Sequence, residues 1–205
     1  MIYFLGRFLF FCVFKLFFRF RTFGRKNIPV SGGFLLACNH VSYLDPIVFG
    51  CACPRFLSFM ARDTLFKGRY FGWLLMRVRA FPLRRNAADF GAMKEALRRL
   101  RRGEGLLLFP EGTRTVGGKL GRGRAGVGFL ARKSGVPVVP AFVRGTDIAL
   151  SKADKKLRRA SITVWFGEPL TISAASGESD EEFAGRVMDR VMGLKAAAEA
   201  GTQTF

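Results

Sequence analysis

His40 is the only histidine in the chain, and it lies in Cys38-Asn39-His40-Val41-Ser42-Tyr43-Leu44-Asp45-Pro46. Chemistry that needs an imidazole is therefore confined to this stretch. An aspartate that accepts a hydrogen bond from one ring nitrogen fixes the tautomer. The other nitrogen is then free to take a proton from a hydroxyl or a thiol. Asp45 can play that part for His40. The same residues also read as a capping device, because Ser42-x-x-Asp45 fits a capping box. A second group is Phe109-Pro110-Glu111-Gly112-Thr113-Arg114. Proline cannot continue a strand ladder and glycine permits an unusual backbone, so the chain turns here. Glu111 can accept hydrogen bonds from hydroxyls and Arg114 can hold a phosphate, which together describe a receptor for a phosphorylated polyol. Read blandly, this is a turn with a surface ion pair. A third group, Phe81-Pro82-Leu83-Arg84-Arg85, brings two guanidiniums to the end of a short strand. Their planar forks suit phosphate oxygens, although a solvated rim has the same composition.

The elements around these groups decide whether they can meet. Phe34-Leu35-Leu36-Ala37-Cys38 is a short apolar run behind Gly32-Gly33 and reads as a buried strand. Asp45-Pro46 reads as a helix start. His40 is thus expected on a tight strand-to-helix turn, where open α/β sheets place their ligands. A helix is expected from Ala88 to Arg102, with Phe90, Met93, Leu97 and Leu100 on its inner face and Gly103 as its stop. Leu106-Leu107-Leu108-Phe109 follows as a buried strand. A helix over Ala125–Ser134, strands over Val138–Val143 and Ile162–Phe166, and a last helix opened by the capping box Ser179-x-x-Glu182 complete the pattern. That last helix turns Phe183, Val187, Val191 and Leu194 inward. The alternation predicts a single α/β domain over residues 24–199, with a largely parallel or mixed central sheet flanked by helices.

The formal charge is +19 with an isoelectric point near 11, and apolar residues make up 49% of 205. A full core is affordable at this length, and the charge demands an anionic partner: nucleic acid, an anionic membrane, a phosphorylated substrate or an acidic protein. No nucleic-acid module is recognisable. Four cysteines are too few for a disulfide scaffold, and Cys51-Ala-Cys53 lacks metal-ligand spacing, so reduced thiols and no metal are expected. Residues 1–23 are read as a membrane-association helix. Arg7, Lys15 and Arg19 fall on one arc, opposite Leu5, Leu9, Cys12, Val13, Leu16 and Phe17, as in a helix lying at a bilayer interface. A tilted span and a helix covering the protein's own core are the alternatives. Residues 200–205 are expected to fray. The region from Arg55 to Arg85 sets eight basic residues against Asp63, interleaved with Phe71, Trp73, Leu74, Leu75 and Met76, and reads either as a nucleic-acid patch or as a basic, apolar groove wall.

Gly121-x-Gly123-x-x-Gly126 matches a dinucleotide fingerprint on paper, but no strand directly precedes it. Lys119, Arg122 and Arg124 fit better as a mobile basic loop over a phosphate. Cys38 shares a strand face with His40, which admits a scheme in which the thiol is acylated. A buried strand cysteine is more simply a small hydrophobe.

Asn39-His40-x-Ser42-x-x-Asp45, followed some sixty-five residues later by Phe109-Pro110-Glu111-Gly112-Thr113-Arg114, resembles the first and third motifs of the 1-acylglycerol-3-phosphate acyltransferases. Phe81-Pro82-Leu83-Arg84-Arg85 resembles the second motif, with Phe81 where a smaller aliphatic is more usual. Val136-Pro137-Val138-Val139-Pro140 resembles the fourth, and the likeness runs from Gly24 to Pro169. It implies transfer of a fatty acyl group from acyl-CoA or acyl-carrier protein to the sn-2 hydroxyl of 1-acylglycerol 3-phosphate, with no metal or other cofactor. It implies His40 and Asp45 as the catalytic pair and the Glu111-Gly112-Thr113-Arg114 turn as substrate-binding. Glu111 is assigned to the glycerol, and Arg85 and Arg114 to the phosphate, with Arg84 a weaker candidate. The expected partners are a lysophospholipid, the thioester donor and an anionic membrane, and not nucleic acid. The expected location is the cytoplasmic face of the cell membrane, peripheral or monotopic. Another lysolipid acceptor, or a basic binding protein without catalysis, is the alternative.

Overall fold

The computed structural model describes residues 2–84, 89–115, 120–150, 156–173 and 177–201. Seven strands form one sheet in the order β1-β7-β6-β2-β5-β3-β4. These are β1 (Arg21–Phe23), β2 (Phe34–Cys38), β3 (Leu57–Arg62), β4 (Ala80–Leu83), β5 (Gly105–Leu108), β6 (Val138–Arg144) and β7 (Thr163–Phe166). Every neighbouring pair is parallel except β6 with β7. Strands β2, β3, β4, β5 and β6 therefore all end at the same edge of the sheet.

The helices are α1 (Ile2–Phe17), α2 (Asp45–Ala52), α3 (Arg69–Arg77), α4 (Phe90–Arg101), α5 (Gly126–Ser134), α6 (Thr146–Ala149) and α7 (Asp180–Glu199). The connections through α2 and α3 step toward β4, and the one through α4 steps back. Right-handed crossovers then put α2 and α3 on one face and α4 on the other. The core divides accordingly. On β2, Phe34, Leu36 and Cys38 join the cluster beneath α1 and α2, whereas Leu35 and Ala37 join the cluster beneath α4, α5 and α7. The period-2 alternation of a strand buried on both faces produces this split.

Several expectations meet differences. The α4 helix runs from Phe90, capped by Asp89, whose side chain accepts the Ala92 N–H at 3.0 Å. Ala88 lies outside the described residues, as do residues 202–205 of the expected frayed tail. Residues 21–23, read with the N-terminal arm, form an edge strand on β7. Strand β3 and helices α3 and α6 were not anticipated. The arm also lies differently. Arg7, expected at lipid phosphates, turns inward, and its Nη2 donates to the Cys53 carbonyl at 2.7 Å. Arg19 falls beyond the helix end. The reason is packing: Phe14, Phe18 and Phe20 are buried against the core, which forces the Arg7 side of α1 toward the domain. The arc of Leu5, Leu9, Leu16 and Phe17 is left exposed, together with Phe4 and Phe8. Among the described residues no helix is long and apolar enough to cross a membrane.

Candidate active site

The chain leaves β2 at Cys38 and enters α2 at Asp45, and the residues between form the turn that holds His40. Three anchors fix it. Asn39 exchanges two hydrogen bonds with Val143 of β6, donating from Nδ2 to its carbonyl at 3.0 Å and accepting its N–H at 2.8 Å. The His40 N–H donates to Glu111 Oε1 at 3.2 Å. The His40 carbonyl accepts the Thr115 N–H at 2.9 Å. Main-chain atoms of His40 are thus held from both sides by the segment that follows β5.

Asp45 is fully buried and its carboxylate is saturated with donors. Oδ2 accepts from His40 Nδ1 at 2.7 Å and from the N–H groups of Val41 and Ser42, each at 2.8 Å. Oδ1 accepts from the Thr146 hydroxyl at 2.6 Å. Four donors, two of them rigid backbone groups, compensate a buried carboxylate that would otherwise be costly. Because Asp45 only accepts, Nδ1 carries the ring proton and Nε2 presents its lone pair. Among the described residues Nε2 has no hydrogen-bond partner. The imidazole lies flat on Phe109, with ring centroids 3.8 Å apart and planes 15° apart, which fixes its remaining freedom. The capping-box reading survives in part. Asp45 does bind the Ser42 N–H, but the Ser42 hydroxyl accepts the Leu44 N–H at 3.2 Å rather than that of Asp45, and donates to the Leu150 carbonyl at 2.8 Å.

The Pro110–Arg114 turn stands beside this pair. Gly112 sits at φ +72° and its N–H closes the turn onto the Phe109 carbonyl at 2.9 Å, so the glycine is required for its backbone. Glu111 is buried, and each of its oxygens takes one backbone N–H: that of His40, and that of Gly121 at 2.8 Å. A carboxylate has about four acceptor positions, so capacity remains for a hydroxyl. Thr113 is exposed. The Arg114 guanidinium lies over the Tyr43 ring, 3.6 Å from its centroid, a stacking that holds a planar cation in place. The Arg124 N–H donates to the Pro110 carbonyl at 3.0 Å, and its side chain packs against Gly112. The basic loop is thereby stitched to the same turn, with Arg122 exposed; Lys119 lies outside the described residues.

Arg84 is exposed at the end of β4, where its N–H donates to Asp89. Strands β3 and β5 lie between β4 and β2. Arg85 lies outside the described residues. Gly121, Gly123 and Gly126 do not form a dinucleotide loop: Gly121 serves Glu111, and Gly123 packs on the Ala184 carbonyl of α7. Cys38 is completely buried. Burial above all, then the nearby Asp45 and Glu111 carboxylates, holds its thiol well above the usual range, so it stays protonated and a poor nucleophile. Among the described residues, no three His, Cys, Asp or Glu side chains gather as metal ligands.

Sequence reasoning did not find Thr146, Tyr43 or Phe109 as parts of this site. Thr146 follows the long apolar run of β6, whose end is at the same edge. That placement, with a glycine before a hydroxyl residue, is the signal that could have pointed to it.

A family model described as Acyltransferase matches residues 19–144. The chain is 30% identical to the 1-acyl-sn-glycerol-3-phosphate acyltransferase of Bacillus subtilis across 73% of each chain. It is also 30% identical to the lyso-ornithine lipid O-acyltransferase of Pseudomonas aeruginosa, over 83% of this chain and 70% of that protein. It spans about half the length of several further relatives that it matches. The crystal structure of the 1-acyl-sn-glycerophosphate acyltransferase from Thermotoga maritima superposes with a TM-score of 0.73 at 26% identity, covering 86% of this chain and 71% of that one. On the extent of these matches, the chain belongs to the acyltransferase family.

Proposed function

We propose that this chain transfers a fatty acyl group from a thioester, acyl-CoA or acyl-carrier protein, to the sn-2 hydroxyl of 1-acylglycerol 3-phosphate, giving phosphatidic acid. The observation that carries the reading is the 2.7 Å contact between His40 Nδ1 and a buried, saturated Asp45, which leaves Nε2 as the acceptor of a proton. In the proposed step Nε2 takes the hydroxyl proton as the oxygen attacks the thioester carbonyl carbon. The tetrahedral species collapses with cleavage of the C–S bond, and Nε2 returns the proton to the departing thiolate. Asp45 orients the ring and stabilises the imidazolium that forms in between. Direct transfer is favoured over an acyl-enzyme because Cys38 is sealed and protonated. Arg114, assisted by Arg85 and Arg84, is assigned to the phosphate. Glu111, Gly112 and Thr113 are assigned to the glycerol side of the acceptor.

The substrates are amphiphiles, and the domain's surface suits a bilayer. The eight exposed Phe and Leu side chains of α1 favour an acyl environment by about −2 to −5 kcal/mol together. Helix α3 leaves Tyr70, Phe71, Trp73 and Met76 exposed on the same face of the sheet. That face is also the one from which His40 projects, two residues after Cys38. We assign the chain to an anionic membrane surface, peripherally and on the cytoplasmic face, where the excess of cations adds about 1 kcal/mol per residue near the lipid.

The test is thiol release from a long-chain acyl-CoA, or from acyl-carrier protein, with and without 1-acylglycerol 3-phosphate. Release should require the acceptor, and His40→Ala should lower it by about 10²–10⁴. A folded His40→Ala enzyme with near-parental turnover would remove His40 as the base. The Pseudomonas relative motivates lyso-ornithine lipid as a parallel acceptor; the stacked Arg114 favours the phosphate-bearing one.

A further inference from the structure

The sheet has a second edge, at the amino ends of β3, β4 and β5 and opposite the His40 turn. There the chain encloses a cleft of about 830 Å³. Arg7, Arg25, Arg55, Arg79 and Arg102 line it, against a single carboxylate among its lining residues, Glu104. Glu104 is already engaged, accepting the Ser58 hydroxyl at 2.5 Å and lying 4.0 Å from Arg99. The Arg7, Arg55 and Arg79 guanidiniums are held by groups that carry no charge, and Arg25 and Arg102 stand exposed beside them. Arg7 donates to the Cys53 carbonyl, and Arg55 donates to the carbonyls of Pro29 at 2.9 Å and Gly103 at 2.7 Å. Arg7 and Arg79 flank the Phe56 ring at 5.5 and 5.6 Å. Arg79 adopts φ +65°, a disfavoured backbone for a long side chain. It is kept there because its carbonyl accepts from Arg99 Nη1 at 2.7 Å and from the Phe59 N–H at 3.2 Å. The cleft is thus a cluster of five guanidiniums whose one lining carboxylate, Glu104, is already engaged by Ser58.

The other wall supplies the second half of the recognition. Phe4, Phe8 and Phe11 line the cleft, and the same residues belong to the exposed apolar side of α1. A soluble anion would use the arginines and gain nothing from three phenylalanines. An anionic amphiphile uses both. We infer that this cleft binds the phosphate headgroup of an anionic membrane lipid, whose acyl chains run along Phe4, Phe8 and Phe11. The site lies at the opposite edge from His40 and stands or falls independently of that residue's role. Its consequence is orientation. Helix α1 is 16 residues long, or about 24 Å, and reaches from this cleft toward the catalytic edge. A lipid held at its first turns lays it along the bilayer and points the His40 face at the membrane.

Vesicle flotation of the full chain tests this, with phosphatidylcholine alone or doped with phosphatidylglycerol. Arg25→Gln/Arg79→Gln/Arg102→Gln should lose about tenfold or more of its affinity for the doped vesicles and keep its weaker binding to phosphatidylcholine. A charge-matched variant on the other helical face, Arg101→Gln/Lys133→Gln/Arg190→Gln, should lose much less. Equal losses in the two variants would reduce the effect to diffuse charge and overturn the site. Should the triple variant fail to fold, Arg25→Glu and Arg102→Glu, both at exposed positions, carry the same expectation singly. Calorimetry with free glycerol 3-phosphate separates the sources. Binding as strong as to vesicles, lost in the cleft variants, would assign the cleft to a soluble phosphate and overturn the lipid.

Discussion

Asp45 shows how much of the proposed catalytic pair depends on residues outside the pair. His40 accounts for one of its four donors; two are backbone N–H groups of its own turn, and the fourth is Thr146, some hundred residues away along the chain. Thr146→Val keeps the shape but leaves Oδ1 without its hydroxyl in a fully buried place. It should cost about 1–3 kcal/mol in urea unfolding, with a fall in kcat larger than any change in KM. Thr146→Ser, which restores the hydroxyl, should recover most of both. An unchanged kcat in a destabilised Thr146→Val would make the contact merely structural. The residues of this site that were legible in the sequence were those whose side chains are rare or motif-bound: the lone His40, Asp45, Glu111 and Arg114. Tyr43 and Phe109 lie inside the quoted stretches, but their roles, like that of Thr146, come from contacts between segments distant along the chain, and a threonine, a tyrosine or a phenylalanine carries no chemical signature of such contacts. Glu111 was legible as an acceptor, but its hold on the His40 and Gly121 N–H groups was not, because backbone partners leave no trace in composition.

Elements set these contacts through a few backbone positions. Strand β6 delivers Thr146 only because Gly145 turns the chain at φ +90°, and there a Cβ would stand 2.0 Å from the Ser161 carbonyl oxygen. Gly145→Ala combines a left-handed alanine with that clash. It should destabilise the fold by about 2–4 kcal/mol and lower kcat by displacing Thr146 from Asp45. Thermal unfolding together with steady-state rates would check it; a neutral variant would mean that the β6–α6 turn is not what places the hydroxyl. Legibility at this scale follows the same logic. Strands β2, β5 and β6 were readable because both of their faces are buried, which leaves unbroken apolar runs. Strand β3, with Ser58 and Arg62, and edge strand β1, with Arg21, have no such run. Helix α1 had a readable period, but an apolar arc and a longer basic one cannot by themselves say which of them meets the core. Three phenylalanines at 14, 18 and 20 decided that, two of them beyond the helix end.

At the scale of the whole molecule, one face of the sheet carries both the His40 pair and a cluster that hides three of the four thiols. Cys38, Cys51 and Cys53 belong to the core beneath α1 and α2, whereas Cys12 is exposed on α1. Burial pushes Cys51 up to about 12 and Cys53 up to about 11, and raises Cys38 well above its usual value. Iodoacetamide at pH 8 should therefore modify one thiol, Cys12, in the native protein, and all four once urea unfolds it. The same asymmetry ties stability to pH. Thiols in the unfolded chain titrate near 9, so above that pH the unfolded state has released protons that the folded state still holds. Unfolding is then favoured by rising pH, by about 1.4 kcal/mol per unit for each thiol. Below pH 9 the contribution of the buried thiols is fully present; it is lost as pH climbs from 9 toward 11 and 12. Cys51→Ala should flatten the decline by one thiol's share over this window, leaving the difference in stability from the parent constant below it. If urea midpoints of parent and variant ran parallel from pH 8 to 11, Cys51 would be reaching solvent in the native state, and the seal that α1 forms over α2 would be open.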